Sequence, residues 1–291
     1  MKAAAFEYAR PKDLDEACAM LAADADARII AGGQTLVPLM AMRLARPGRL
    51  IDISRIAALA FVRDAGDAVE IGATTRQCVV ERDALVRAKL PLLAKVMPHV
   101  GHAATRARGT VGGSLANGDP AAEIVLVAAT LGAMLICREG SKTAAIPAEE
   151  FFLGPMTTAL SPSGCLVSVR FPVWLEKRVG VGFHEVNARR SDFAFVSAAA
   201  QIALDGNGAC ARLAAGIGGA TALPLRLDMA ALHGARLTQA NVREAVGTAL
   251  SGIEPLSDLH ASAAYRRRVA AELAVRAIMD ANAAAGGARA A

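Results

Sequence analysis

The chain has 291 residues and a formal net charge of +5. Apolar residues make up 54% and aromatic residues only 4%. That length allows two compact domains or one large one with a sizeable core. Dispersed positive charge with so few aromatic rings argues against a nucleic-acid binder, and no long uncharged apolar run reads as a membrane span. Glu7 and Arg10 interrupt the N-terminal stretch too early for a signal-peptide core, so no targeting segment is expected. The five cysteines, at Cys18, Cys78, Cys137, Cys165 and Cys210, are odd in number and nowhere at metal-ligand spacing. They predict reduced thiols in a cytoplasmic protein and no iron–sulfur cluster on this chain.

In chain order, the apolar spacing of Leu14, Ala17, Met20 and Leu21 predicts a helix over 13–23 with Asp13 as its N-cap. A short β-like run at 28–31 ends in Gly32-Gly33. Residues 36–44 read as a second helix and 50–53 as a second strand, giving a small parallel unit. Residues 61–63 and 69–71, separated by Asp64-Ala65-Gly66-Asp67, read as a hairpin. Two or three short helices are expected over 75–100, broken at Pro91 and Pro98. A glycine-rich loop at 109–114 precedes a buried helix over 121–131 and strands at 133–138 and 143–146. Residues 155–164 read as loop and 166–171 as a strand. A connector holding the only tryptophan, Trp174, marks the domain boundary. Beyond it, three strands (182–186, 193–204, 210–216) and two helices (238–250, 261–283) are expected, the last capped around Ser257 or Asp258. Arg266-Arg267-Arg268 reads as a solvated helix face or a subunit contact.

The chemistry concentrates in two segments, Ala31-Gly32-Gly33-Gln34-Thr35 and Thr110-Val111-Gly112-Gly113-Ser114. Glycine permits positive φ and close backbone approach, so successive N–H groups can form an anion-binding concavity beside a helix start. Thr35 and Ser114 add hydroxyls. Two such loops suit a diphosphate, although either Gly-Gly pair alone is equally read as a tight turn. Neither segment has the G-x-G-x-x-G dinucleotide pattern, and neither has the lysine of a P-loop.

These segments resemble the signatures of the FAD-binding medium subunits of molybdenum hydroxylases, which include the aerobic carbon monoxide dehydrogenase medium subunit and the flavin domain of xanthine dehydrogenase. The first signature is matched by residues 31–40 with Arg43-Leu44, and the second by Arg106 through Glu123. Gly182-Phe183-His184-Glu185-Val186, Arg189-Arg190 and Asp192-Phe193-Ala194 resemble the start of the family's C-terminal domain.

The resemblance implies an α+β fold. Residues 1–175 would form a two-lobed FAD-binding domain of the PCMH type, and residues 178–285 a smaller three-stranded sheet domain with helices. It implies non-covalent FAD held by Ala31, Gly32, Gly33, Gln34 and Thr35 and by Thr110, Val111, Gly112, Gly113 and Ser114. Glu123 would meet the ribityl or ribose hydroxyls and Leu166 would border the flavin. Read without the resemblance, Glu123 has the alternative of a helix N-terminal charge and Leu166 that of an ordinary core residue.

The resemblance also implies an oxidoreductase subunit with no catalytic acid or base and no metal of its own. Partners would be a small subunit with [2Fe–2S] clusters and a large subunit with the molybdenum cofactor, in a heterotrimer or a dimer of heterotrimers. Two other readings of this chain are a stand-alone flavin oxidoreductase of the same fold group and a non-enzymatic nucleotide-binding assembly protein. The histidines show no metal pattern. His102 either approaches the flavin or is an ordinary surface or core histidine. No G-x-S-x-G elbow supports a hydrolase.

Overall fold

The computed structural model describes residues 2–287. The N-terminal lobe contains β1 (Glu7–Ala9), α1 (Leu14–Ala23), β2 (Ala27–Ile30), α2 (Leu36–Ala41) and β3 (Arg49–Asp52). Its three strands run parallel in the order β1-β3-β2. Asp13 caps α1 by accepting from the Glu16 N–H at 2.9 Å. Ala17, Cys18 and Leu21 face Ile51 and Ile53 in a small core of their own. The α2 helix stops at Ala41, earlier than its apolar pattern suggests, because Arg43 turns left-handed with φ 62°.

The second lobe begins with β4 (Val62–Asp64) and β5 (Ala68–Gly72), the expected hairpin. Asp64 Oδ1 accepts from the Gly66 N–H in its turn. Short helices follow: α3 (Gln77–Arg82), α4 (Ala84–Lys89), α5 (Pro91–Val96), α6 (Ala103–Arg108) and α7 (Val111–Asn117). Then come α8 (Glu123–Leu131), β6 (Met134–Glu139), β7 (Lys142–Pro147), α9 (Ala148–Phe151), β8 (Phe152–Gly154), β9 (Thr157–Thr158) and β10 (Gly164–Pro172). Five strands form one antiparallel sheet in the order β4-β5-β10-β6-β7, while β8 pairs separately with β9, which lies within the segment 155–164 read from sequence as loop.

The C-terminal part comprises β11 (Val179–Val186), β12 (Val196–Leu204), β13 (Cys210–Gly218), β14 (Leu225–Leu227), α10 (Gln239–Ala249) and α11 (Ala263–Gly287). Its sheet has four strands, not three, since the short β14 pairs antiparallel with β13. Every residue of α8 is buried. A helix buried on every face needs cover on all sides. It packs against the C-terminal sheet, so Phe183, Ala199 and Ala214 join the core of the second lobe.

On the other face of the sheet, α11 lies so close to β11 that a Cβ at Gly180 or Gly182 would overlap its backbone. Asp258 accepts the His260 and Ala261 N–H groups, but the Tyr265 N–H is taken by Ser262, so the α11 cap lies later than expected. The basic triplet is not uniformly solvated. Arg266 is buried and donates to the carbonyls of Phe195 and Gly219 and to Asp258.

Candidate functional site

The first glycine segment leaves β2 and enters α2. Gly33 sits at φ +69°, where any side chain is strained. Gln34 folds back and donates from Nε2 to the Gly32 carbonyl at 3.1 Å. Thr35 occupies the N-cap position of α2 without a side-chain cap bond. The backbone N–H groups of Gly32 through Thr35 find no acceptor among the described residues. Such a row of N–H groups is satisfied by water or by an anion.

The second segment is built differently. It is a helix start, not an open loop. Thr110 is the N-cap of α7, and its buried hydroxyl accepts from the Gly113 N–H at 3.0 Å. The N–H groups of Val111, Gly112 and Ser114 donate to Thr75, Ala73 and Thr110 carbonyls respectively. Four of the five amides of this segment, all but that of Thr110, are thus committed within the protein, so it offers far fewer free N–H groups than expected. What this segment presents outward is bare Gly113 and the half-buried Ser114 hydroxyl. Gly112 is needed for another reason: a Cβ there would overlap the backbone of Ala73, across which α7 is pressed.

Between the segments lies a cavity of about 760 Å³, within the range of roughly 300–1,000 Å³ usual for ligand sites. Ala31, Gly32, Gly33, Gln34 and Thr35 line it together with Thr110, Gly112, Gly113 and Ser114, and so do Glu123 and Leu166. Val111 does not, since its side chain is fully buried in the core. Leu166 sits at an irregularity where β10 shifts register against β6 between Leu166 and Ser168. Such bulges re-aim side chains. A second cavity of about 710 Å³ opens on the far side of the first segment, beside Tyr8, Asp52, Arg76 and Arg108.

Glu123 is only 7% exposed. Its carboxyl is pushed up to about 8, mainly by burial, against the pull of its own N–H, with Glu185 and Asp119 also raising it and Arg106 lowering it. Burial also raises Asp119, against the Ala121 N–H. Glu123 is therefore mostly protonated at neutral pH, a donor as well as an acceptor toward a hydroxyl. A neutral floor does not repel a ligand that already carries phosphate charge. Burial pushes the Cys165 thiol, also in this cavity, up to about 12, so it is not a nucleophile.

Sequence reasoning did not assign the rim. Ser191, Asp192 and Phe193, between β11 and β12, close one side of the cavity. Phe193 is 66% exposed, an aromatic face on a chain with few aromatic residues. The left-handed Ser191, φ 71°, turns the loop toward the cavity. Asp119, Gln77, Thr105 and His102 also line it. For Phe193 the only sequence signal was its place in the Asp192-Phe193-Ala194 motif.

Comparison with known proteins identifies this arrangement. Residues 4–174 match the FAD binding domain in molybdopterin dehydrogenase, and residues 182–281 match the CO dehydrogenase flavoprotein C-terminal domain. The chain belongs to the FAD-binding medium subunits of the molybdenum hydroxylase family.

It is 34% identical to the nicotine 6-hydroxylase medium subunit of Paenarthrobacter nicotinovorans, over 97% of this chain and 99% of that one. Identity to the carbon monoxide dehydrogenase medium chain of Hydrogenophaga pseudoflava is 32%, over 94% and 96% respectively. Among solved structures, quinoline 2-oxidoreductase from Pseudomonas putida 86 superposes with a TM-score of 0.92 at 34% identity, covering 98% of this chain and 99% of that one. Carbon monoxide dehydrogenase from H. pseudoflava superposes with a TM-score of 0.93 at 31% identity, covering 98% and 99%.

Medium subunits of this family serve oxidoreductase complexes, and their cofactor is FAD. The site fits it: its lining offers the unpaired N–H groups of the first segment, a bare glycine and a hydroxyl of the second, and the buried Glu123 carboxyl. Among the described residues no cluster of His, Cys, Asp and Glu could hold a metal ion, and no helix is long and apolar enough to cross a membrane.

Proposed function

We propose that this chain holds FAD non-covalently in the 760 Å³ cavity and relays electrons in a cytoplasmic complex. The electrons arrive from [2Fe–2S] centres on a small partner subunit and leave for an external acceptor. Substrate is oxidised on a large partner subunit that carries the molybdenum cofactor. The assembly is a heterotrimer or a dimer of heterotrimers. The observation that carries this reading is the convergence of two glycine segments, far apart in sequence, on the lining of one cavity. Chains of carbon monoxide dehydrogenase and quinoline 2-oxidoreductase share this fold, and a relative named for nicotine is similar in sequence, which supports the reading that substrate choice lies on another subunit.

The residues divide the work. The N–H groups of Gly32 through Thr35 meet the diphosphate, with Ser114 donating from across the cavity. Gly113 leaves room for it. Glu123 binds a sugar hydroxyl and Leu166 gives an apolar wall. FAD supplies the redox chemistry, and the protein binds, orients and shields it.

The test is the absorption spectrum of the purified chain, followed by identification of any nucleotide released by acid. FAD bands in the wild type, lost in Gly33→Asp and Gly113→Asp while the melting transition persists, are the expected result. A colourless wild type that takes up no added FAD, alone or co-expressed with its partners, would overturn the reading.

A further inference from the structure

We infer that the Gln77 carboxamide is a further cofactor-binding group, its oxygen Oε1 accepting a hydrogen bond from a sugar hydroxyl of FAD. The inference rests on the reading that FAD occupies the cavity. Gln77 lines that cavity, yet it belongs to neither glycine segment.

Its position follows from the backbone. Gln77 is the first residue of α3. Its N–H donates to the Gly109 carbonyl at 2.9 Å, and the Val111 N–H donates to the Thr75 carbonyl at 3.1 Å. Between these bonds Arg76 and Thr110 form an isolated antiparallel bridge. Residues 75–77 therefore run beside 109–111 as a pair of very short strands, which fixes the start of α3 against the second glycine segment. The Gln77 side chain turns back across Gly109. A Cβ built on Gly109 would lie 2.5 Å from Gln77 Oε1 and 2.9 Å from its Cδ.

That contact accounts for a glycine that the diphosphate site leaves unexplained. Gly109 has φ −58° and ψ 149°, a conformation open to any residue. Backbone freedom is not what calls for glycine there. A side chain at 109 would take the space of the Gln77 amide.

The amide is placed but not satisfied. Gln77 is only 5% exposed, and its Oε1 is buried with no hydrogen-bond partner among the described residues. Buried side-chain oxygens are paired in the large majority of cases, so an orphan lining a cavity marks a place where a ligand supplies the partner. Oε1 accepts only, so the partner is a donor. Ionised phosphate oxygens are not donors. The flavin N–H and the adenine amino group lie toward the two ends of FAD, whereas the ribityl and ribose hydroxyls flank its diphosphate. Gln77 stands against Gly109 and Thr110, at the segment that meets the diphosphate, so a sugar hydroxyl is the donor within its reach.

The test titrates the flavin-stripped protein with FAD and with FAD analogues that each lack one ribityl or one ribose hydroxyl, binding being read by flavin fluorescence. Gln77→Met keeps the length of the side chain and removes the amide. It is expected to weaken FAD binding roughly three- to tenfold. The flavin-free variant should melt no lower than the wild type, because an unpaired buried oxygen has been removed. One analogue should bind the wild type more weakly by a similar factor and lose nothing further in Gln77→Met, since the two changes delete the same bond. A ribityl analogue behaving in this way assigns the bond to the ribityl chain, and a ribose analogue assigns it to the ribose. If Gln77→Met binds FAD as tightly as the wild type, or if its loss adds to that of every analogue, the inference is overturned and the FAD reading stands. A wild type that takes up no FAD overturns that reading and the inference with it.

Discussion

Gly32 and Arg108 are in backbone contact: a Cβ built on Gly32 would lie 2.6 Å from the Arg108 carbonyl oxygen and 2.8 Å from Gly109 Cα. The two glycine segments therefore touch each other as well as face one cavity. Glycine is required at position 32 by its neighbour and at position 33 by its φ of +69°. Gly32→Val is expected to push the N-terminal lobe off the second and to widen the cavity. Flavin content should fall several-fold, and stability by roughly 1–3 kcal/mol, measured by absorbance ratio and thermal melting. Gly66→Ala, in the β4–β5 turn outside the cavity, where φ of +82° strains the backbone with nothing near the Cβ, serves as the control for backbone strain and should retain flavin.

The raised pKa of Glu123 links folding to pH. Its folded value is about 8 and its unfolded value about 4.5. Between those limits the folded state holds the extra proton, so stability falls as pH rises through that window. Below the window the penalty is absent, and above it the penalty is complete. The slope reaches at most about 1.4 kcal/mol per pH unit. Glu123→Gln removes the titration. Denaturant unfolding of the flavin-free protein from pH 5 to 8 should show a flatter profile in the variant, whose relative advantage grows with pH. Parallel profiles would contradict the assignment.

Arg266 ties α11 to the turn after β13 and to the Phe195 carbonyl, two residues beyond the cavity rim. Arg266→Met leaves those carbonyls and Asp258 without their donor. A loss of roughly 2–4 kcal/mol is expected, read as a lower melting temperature. Arg268→Met, on the same helix but outside this network, is expected to change stability by less than about 0.5 kcal/mol.

Phe193 presents its ring at the cavity rim. Phe193→Ala should weaken FAD retention by about 1 kcal/mol and make bound flavin fluorescence more accessible to iodide. Unchanged quenching would place the ring away from the cofactor.

Local patterns were legible wherever local forces decide the backbone. The Asp13 cap, the hairpin around Gly66 and the apolar helix before β6 all follow from spacing and turn chemistry. The strand β14 was not legible, because three residues paired to one edge carry too short a pattern. Arg266 was misread because a basic triplet resembles a solvated face until the fold places two bare carbonyls beside it.

The sequence by itself determined the two glycine segments, their hydroxyls, the buried acid and the family. Those depend on residue identity and on the backbone freedom that glycine confers. Only the tertiary structure decided their roles. It brought residues 31–35 and 110–114 to one cavity and left N–H groups open on the first segment. It spent those of the second on Ala73, Thr75 and Thr110, and drew Phe193 to the rim. An amide is free or satisfied according to what lies opposite it, and no stretch of sequence states what lies opposite.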